Sequence, residues 1–299
     1  MASIHKLVIA RLPVTMEHAE SDEIVEAIDE VLAWSNLFGH HMSLEDVLRN
    51  VQVRCTDLVL QQSIERASHL RIEENIVFSE KYPQNPSFKF YQKLAKRHFE
   101  ETKDVLSILN SCHQITGLAV TGSVAAGMNK EDGDVDVLII TKPGWVWRAR
   151  ALAIYLSHKH QGGQLLCPNM VMAENSLEFE KSVYGAREMM QIIPLKDNNG
   201  LSQMYKMNTW VNDVLPNART KPSISLSEKR DYPWWWKVMN IPILGRAIES
   251  WEARRRIKEL KSVSKSKEAI YSKSICRGHE NAHKSRIEAE YNAALEAMS

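Results

Sequence analysis

Two hydrophobic stretches, each carrying polar residues at one end, constrain the fold of this chain more than any other feature. Residues 118–123 read Leu-Ala-Val-Thr-Gly-Ser, and residues 134–140 follow after a gap of ten residues as Asp-Val-Asp-Val-Leu-Ile-Ile. The apolar run in each stretch predicts a short buried strand. The Gly-Ser pair predicts a tight turn into a helix of small residues, because glycine allows close backbone approach. The sequence therefore predicts a buried sheet with polar groups beside a tight turn.

The two aspartates of the second stretch are the candidate metal ligands. Asp134 and Asp136 stand two positions apart, so strand alternation directs both side chains to one face. Carboxylates that close repel each other unless a cation lies between them, and Mg²⁺ or Mn²⁺ suits such oxygen ligands. Backbone N–H groups at Gly122 and Ser123 attract phosphate oxygens, and the Ser123 hydroxyl adds a donor. This combination predicts metal-dependent phosphoryl or nucleotidyl transfer.

The spacing of these residues resembles a known family signature. Gly-Ser, a ten-residue gap and then Asp-hydrophobic-Asp-hydrophobic is similar to the motif of the DNA polymerase β-like nucleotidyltransferase superfamily. The resemblance is tight over residues 118–140 and implies a small mixed sheet with flanking helices. It also implies that Gly122 and Ser123 hold the triphosphate of a nucleoside triphosphate such as ATP, and that Asp134 and Asp136 bind catalytic Mg²⁺. The implied reaction transfers a nucleoside monophosphate to an unidentified acceptor hydroxyl and releases pyrophosphate.

The chain departs from the superfamily at one place. Active members usually carry a third carboxylate on a later strand, but the strand expected here over residues 164–172 contains no acidic residue. Asn169 is the nearest polar residue, and its amide oxygen can ligate a metal but cannot accept a proton. Glu174 and Glu178 follow the strand, at positions more typical of solvated side chains. The alternative function is therefore a catalytically silent regulatory protein that keeps this fold and binds nucleotide or DNA.

The N-terminal part of the sequence predicts a winged-helix-like domain. Helical spacing predicts a helix over residues 22–38, Ser43 and Thr56 are candidate N-caps of two further helices, and residues 70–78 predict a hairpin. Such domains commonly bind DNA through the third helix. Residues 1–82, however, carry 7 basic and 14 acidic residues, a net charge of −7 that opposes binding to a polyanion. Docking to a protein, or dimerisation, is the preferred interpretation.

Three domains of an α+β protein are expected along the chain. Two prolines, Pro83 and Pro86, mark a linker, and the composition changes again after Pro216. These boundaries give a winged-helix-like domain, a nucleotidyltransferase domain and a basic helical C-terminal extension, at residues 1–85, 86–217 and 218–299.

The net charge of +1 conceals a gradient along the chain. Residues 83–217 are almost neutral, with 14 basic and 13 acidic residues, whereas residues 218–299 carry 17 basic and 10 acidic residues, a net charge of +7. The basic C-terminal region and the acidic N-terminal region are expected to attract each other, within one chain or between two copies in a homo-oligomer.

Composition also predicts where the protein works. No apolar run approaches the roughly 20 residues needed to cross a bilayer, and the apolar stretch near the start is too short for a secretion signal. Four cysteines without C-x-x-C spacing fit a reducing compartment and are interpreted as ordinary small apolar residues. A soluble, cytoplasmic protein is expected.

Overall fold

Three helices and three short strands form the N-terminal part of the chain in a computed structural model, which describes residues 21–264, 268–278 and 283–296. The elements are α1 Ser21–Asn36, β1 Met42–Ser43, α2 Leu44–Asn50, α3 Asp57–Arg66, β2 Leu70–Glu73 and β3 Ile76–Ser79. Residues 1–20, which the sequence analysis assigned to the N-terminal domain, lie outside the described residues.

The N-caps predicted for this region are confirmed. The Ser43 hydroxyl accepts a hydrogen bond from the Asp46 N–H at 3.1 Å, and the Thr56 hydroxyl accepts one from the Val59 N–H at 3.3 Å. The predicted hairpin is formed by β2 and β3, and β1 adds a third antiparallel strand, so that the strand order is β1-β3-β2. The helices and this sheet enclose one apolar core, which includes Ile24, Ile28, Val47, Leu60 and Val77.

The central part of the chain alternates helices with longer strands. Its elements are α4 Phe88–Asn110, β4 Ile115–Val120, α5 Gly122–Ala125, β5 Val135–Thr141, α6 Val146–Lys159, a 3-10 turn Gly163–Leu165, β6 Leu166–Ala173, α7 Val183–Gln191, β7 Ile193–Asp197, α8 Gly200–Met207 and α9 Val211–Val214. Strand β4 is antiparallel to β5 and β7, whereas β5 and β6 are parallel. The sheet is therefore mixed, and the fold is α+β, as predicted.

Strand alternation in β5 separates two apolar cores. Val137 and Ile139 belong to the larger core, together with residues of α4 and α6, whereas Leu138 and Ile140 belong to a second core with residues of α7 and α8. Because both faces of β5 are covered, its burial is nearly continuous from Val135 onwards. This rigid central strand carries the candidate site at its beginning.

The C-terminal region is not purely helical, which corrects the prediction for residues 218–299. Helices α10 Trp234–Met239, α11 Pro242–Val263 and α12 His283–Glu296 are present, but β8 Ile270–Tyr271 and β9 Ile275–Arg277 extend the sheet to the order β7-β4-β5-β6-β9-β8. Strand β9 pairs with β6, whose backbone groups would otherwise be left at an unpaired edge. Two and three residues are too short for a recognisable strand pattern, which is why the sequence did not reveal them.

The C-terminal and N-terminal regions meet within one molecule. Trp34 of α1 packs against Tyr184 of α7 and against Ile287 and Tyr291 of α12. The guanidinium of Arg187 lies over the Trp34 ring at 4.7 Å and over the Tyr291 ring at 5.1 Å. Aromatic packing therefore contributes directly to the contact between these regions. Among the described residues, no helix is long and apolar enough to span a bilayer.

Candidate functional site

A tight turn after β4 holds Gly122 directly against Asp136. Gly122 has φ +62°, in the left-handed region that favours glycine. A Cβ at this position would lie 2.5 Å from the Oδ2 atom of Asp136, so only glycine leaves room for the carboxylate. The Thr121 N–H also donates to the Asp136 carbonyl at 2.9 Å. The Gly-Ser turn and the aspartate strand, predicted from separate stretches, are thus in contact.

The two predicted metal ligands lie together at the beginning of β5. Asp134 precedes the strand and is exposed, whereas Asp136 is the second residue of the strand and is half-buried. Within the described ranges, neither carboxylate forms an ion pair with a lysine, arginine or histidine. Burial and the nearby Asp134 charge raise the pKa of Asp136 to about 6. Among the described residues, the repulsion between the Asp134 and Asp136 carboxylates is therefore not offset by a cationic side chain.

Cys167 is a further member of this cluster that the sequence analysis did not identify. In the parallel pairing of β5 with β6, Cys167 stands opposite Asp136. One donor atom each from Asp134, Asp136 and Cys167 lies within 4.8 Å of the other two. Burial and the two carboxylates raise the pKa of the Cys167 thiol. Its spacing in the sequence carries no metal-binding signal, because only the strand register brings it here.

Asn129 fixes the geometry around the turn. Its side chain is 3% exposed; the Oδ1 atom accepts from the Ser123 hydroxyl at 3.1 Å, and the Nδ2 atom donates to the Asp134 carbonyl at 3.0 Å. The same Nδ2 atom lies 2.9 Å from Nδ1 of the buried His98 on α4. Asn129 therefore links the serine of the turn, the aspartate loop and the long helix. A single asparagine in a polar loop gave no signal for this role in the sequence.

A wide cleft opens over the aspartates. Its volume is about 820 Å³, within the usual range for a small-molecule site, and its walls come from the N-terminal unit, the central sheet and α12. Gly122, Ser123, Asp134, Asp136 and Asn169 all line it, so the structure brings the predicted site residues to one cavity.

The cleft also contains a carboxylate that sequence reasoning missed. Glu188 of α7 lines the same cavity, and burial together with the Asp136 charge raises the pKa of Glu188 to about 7. Glu174, which follows β6, lies at the opposite end of that strand from Cys167. Seven residues of strand separate the two positions by roughly 20 Å, so Glu174 does not reach the site. Glu178, further along the chain, is not among the described residues that line the cleft.

Comparison with protein families supports the recognition made from the motif. Residues 102–162, which run from α4 through both aspartates to the end of α6, match the family described as nucleotidyltransferase domain. This match is consistent with a polymerase β-like nucleotidyltransferase domain in this part of the chain. No significant similarity to the chain was found among curated proteins or among solved structures.

The two carboxylates suit the divalent cation that nucleotidyltransferases typically use, whereas the neighbouring thiol suits a softer cation. Among the described residues no cationic side chain pairs with either carboxylate, and the three groups offer ligand atoms within 4.8 Å of one another. Because Gly122 has no Cβ, the Asp136 carboxylate can lie directly against the backbone of the turn. Both features are properties of the chain itself.

Proposed function

We propose that the protein is a metal-dependent nucleotidyltransferase that moves a nucleoside monophosphate from a nucleoside triphosphate to an acceptor hydroxyl. The observation that carries this proposal is the contact between the Gly122 turn and Asp136, with Asp134 beside it, at the floor of one wide cleft. The family match over residues 102–162 supports the same class of reaction. Pyrophosphate is the expected leaving group.

Each residue of the cluster has a proposed role. Asp134 and Asp136 would hold Mg²⁺ or Mn²⁺, which when bound neutralises charge on the phosphate oxygens. The backbone at Gly122 and Ser123 would orient the triphosphate, and the Asn129 side chain keeps the Ser123 hydroxyl in position. Most of the rate would come from positioning and charge neutralisation.

Glu188 is the proposed acceptor of the proton from the incoming hydroxyl. It lines the cleft and stands near enough to Asp136 for the two charges to interact. Glu188 on α7 would replace the third carboxylate that β6 lacks, since Asn169 on that strand cannot take a proton. We expect Glu188→Gln to lower kcat for transfer while leaving nucleotide affinity unchanged. A variant with unchanged kcat would remove Glu188 from this role.

The central test is pyrophosphate release from each of the four ribonucleoside triphosphates, with Mg²⁺ or Mn²⁺ and a panel of hydroxyl acceptors. Asp136→Ala should lose at least about 10²-fold in rate, because one charged group that stabilises the transition state is removed. Asp132→Asn is the matched control, since Asp132 is exposed in the same loop and lines no part of the cleft. Equal rates for the two variants would contradict the proposed site.

A catalytically silent nucleotide-binding protein remains the second candidate. The observation in its favour is the lack of an acidic residue on β6, where active members of the superfamily usually have one. Nucleotide binding without turnover across the whole acceptor panel would favour this candidate. The same experiment therefore separates the two functions.

The N-terminal unit is proposed to be a winged-helix-like domain that docks to a protein. Its order of helix, strand, two helices and two strands, with the strand order β1-β3-β2, supports this assignment. The exposed face of α3 combines Asp57, Glu65 and Arg66 with Leu58, which is 64% exposed. Such a face lacks the positive charge that duplex binding requires. Salt-dependent retention on duplex DNA at low salt would overturn this interpretation and revive a DNA-binding regulator.

We further propose domain boundaries near residues 85 and 217, association of two copies through the acidic and basic regions, and a cytoplasmic location, all of which are consistent with composition. Sedimentation of the full chain at several salt concentrations would test the association. A dimer driven by charge should weaken as salt rises.

A further inference from the structure

The cysteine beside the two aspartates differs in surroundings from the other three. Cys55, Cys112 and Cys276 are buried away from the cluster, whereas Cys167 is half-buried and lies beside two carboxylates. Strand register places it there: Asp136 pairs with Cys167, and Leu138 pairs with Met170, so β6 contains one extra residue just after the cysteine. This β-bulge in β6 therefore begins directly after Cys167, the third residue of the cluster.

The three donor atoms are close enough for one ion to bridge. Two ligands bound at about 2.0–2.3 Å from the same ion stand at most about 4.6 Å apart. The three donor atoms all lie within 4.8 Å of one another, so small side-chain rotations would bring them into that range. The arrangement thus needs little reorganisation to become a metal centre.

The chemistry of the donors separates this cluster from an all-carboxylate one. Mg²⁺ prefers oxygen ligands, whereas thiolates favour zinc and other softer cations. We propose that Asp134, Asp136 and Cys167 form one metal centre in which the Cys167 thiolate makes the site select a borderline divalent cation of the zinc class over Mg²⁺. Binding replaces the S–H proton with the metal, and that proton passes to solvent or buffer. This inference deepens the proposed function, and it also specifies a measurement that does not require turnover.

The first experiment detects the metal–sulfur bond directly. The full chain, kept reduced with a phosphine, is titrated with Cd²⁺ while the ultraviolet charge-transfer band of a cadmium–thiolate bond is recorded. We expect one saturable band that Cys167→Ser abolishes and Cys112→Ser leaves intact, since Cys112 is buried away from the cluster. Thermal melting of both serine variants checks that they are folded. A band that survives in Cys167→Ser would overturn the proposal.

Affinity provides the second readout. In calorimetry, Zn²⁺ should bind at least about tenfold more weakly to Cys167→Ser than to the wild type, since even changes behind the metal ligands commonly cost that much. Competition should require a large excess of Mg²⁺ to displace Cd²⁺ from the wild type. Displacement by an equal concentration of Mg²⁺ would show that the thiol confers no selectivity and would overturn the proposal.

Cys167→Asp, which restores a third carboxylate, keeps the two proposals distinguishable. We expect this substitution to remove the cadmium–thiolate band and to shift metal preference toward Mg²⁺, both in binding and in pyrophosphate release. Transfer with Mg²⁺ in a wild-type protein that shows no thiolate band would remove the metal inference and leave the proposed function standing. A thiolate band without transfer to any acceptor would leave the metal centre standing and remove the proposed function.

Discussion

Glu249 and Asp136 are both carboxylates withdrawn from solvent, and burial raises the pKa of each, yet their surroundings are opposite. Glu249 of α11 accepts the N–H groups of Trp147 and Arg148 at the start of α6, both at 2.9 Å, and the Arg148 guanidinium at 3.3 Å. Asp136 has the Asp134 carboxylate as its neighbour. The protein surrounds Glu249 with hydrogen-bond donors and an arginine, whereas the neighbour of Asp136 is a second negative charge.

This difference separates a structural carboxylate from the one that we propose as a metal ligand. Burial alone does not, since it raises the pKa of both groups. The distinction lies in the neighbouring charge: hydrogen bonds lower the pKa of both groups, but Arg148 lowers the pKa of Glu249 whereas the Asp134 charge raises that of Asp136. A buried acid near another acid therefore marks a ligand site more clearly than burial does.

The largest effect is expected from breaking the structural carboxylate. Glu249→Ala leaves the buried Arg148 without its acidic partner and two N–H groups of α6 without an acceptor. We expect the free energy of unfolding to fall by about 3–5 kcal/mol, measured by urea denaturation. Glu249→Gln, which keeps an acceptor, should lose less. A change below about 0.5 kcal/mol, typical of surface positions, would show that this contact is not structural.

The ionised Asp136 carboxylate should destabilise the fold in protein freed of metal with a chelator. Its pKa rises from 3.8 to about 6 on folding, so the native state binds the proton more tightly than the unfolded state. The stability contributed by this protonation is complete below pH 3.8 and is lost as the pH rises through about 6. Between those limits the loss should be on the order of 3 kcal/mol.

Asp136→Asn isolates this effect, because the amide does not titrate. The free energy of unfolding of the wild type minus that of the variant should decrease as the pH rises from about 4 to 7. Adding divalent cation at pH 7 should restore stability to the wild type more than to the variant, since a ligand that binds the native state stabilises it. A difference that is flat with pH would contradict the raised pKa of Asp136, which burial and the Asp134 charge produce.

Local signals in the sequence carried much of the fold. The hydroxyls of Ser43 and Thr56 cap the helices they were expected to cap, and the apolar run after Asp134 forms β5. Each of these features is determined by neighbours a few residues away, through hydrogen bonds to the next turn or through strand alternation. The glycine-serine turn belongs to the same class, because a left-handed residue favours glycine and Gly122 adopts that conformation.

Contacts between distant segments could not be read in this way. The pairing of β9 with β6 joins segments separated by five helices, and the register that puts Cys167 beside Asp136 is set by the whole crossover through α6. The link from Asn129 to His98 likewise depends on where α4 packs. Periodicity reports which face of an element is apolar but not which partner covers it.

The smallest expected effect is the loss of stability when a Cβ is added between the turn and Asp136. Two glycines, Gly122 and Gly144, allow this loss to be measured by comparison. Gly122 and Gly144 both have positive φ, +62° and +75°, but a Cβ at Gly144 would meet nothing within 4 Å, whereas one at Gly122 would meet the Asp136 carboxylate. Gly144→Ala should therefore cost only the left-handed conformation, about 1–2 kcal/mol of unfolding free energy, and leave transfer intact.

Gly122→Ala carries the same conformational cost and adds the collision. The carboxylate must move away from the turn, so we expect an additional loss on the order of 1 kcal/mol together with weaker binding of divalent cation. Calorimetric titration with Mn²⁺ at neutral pH measures the second effect, with Gly144→Ala as the reference. If both alanine variants bound Mn²⁺ with equal affinity, the close approach of the turn to Asp136 would be a packing feature, and the metal would depend on the aspartates alone.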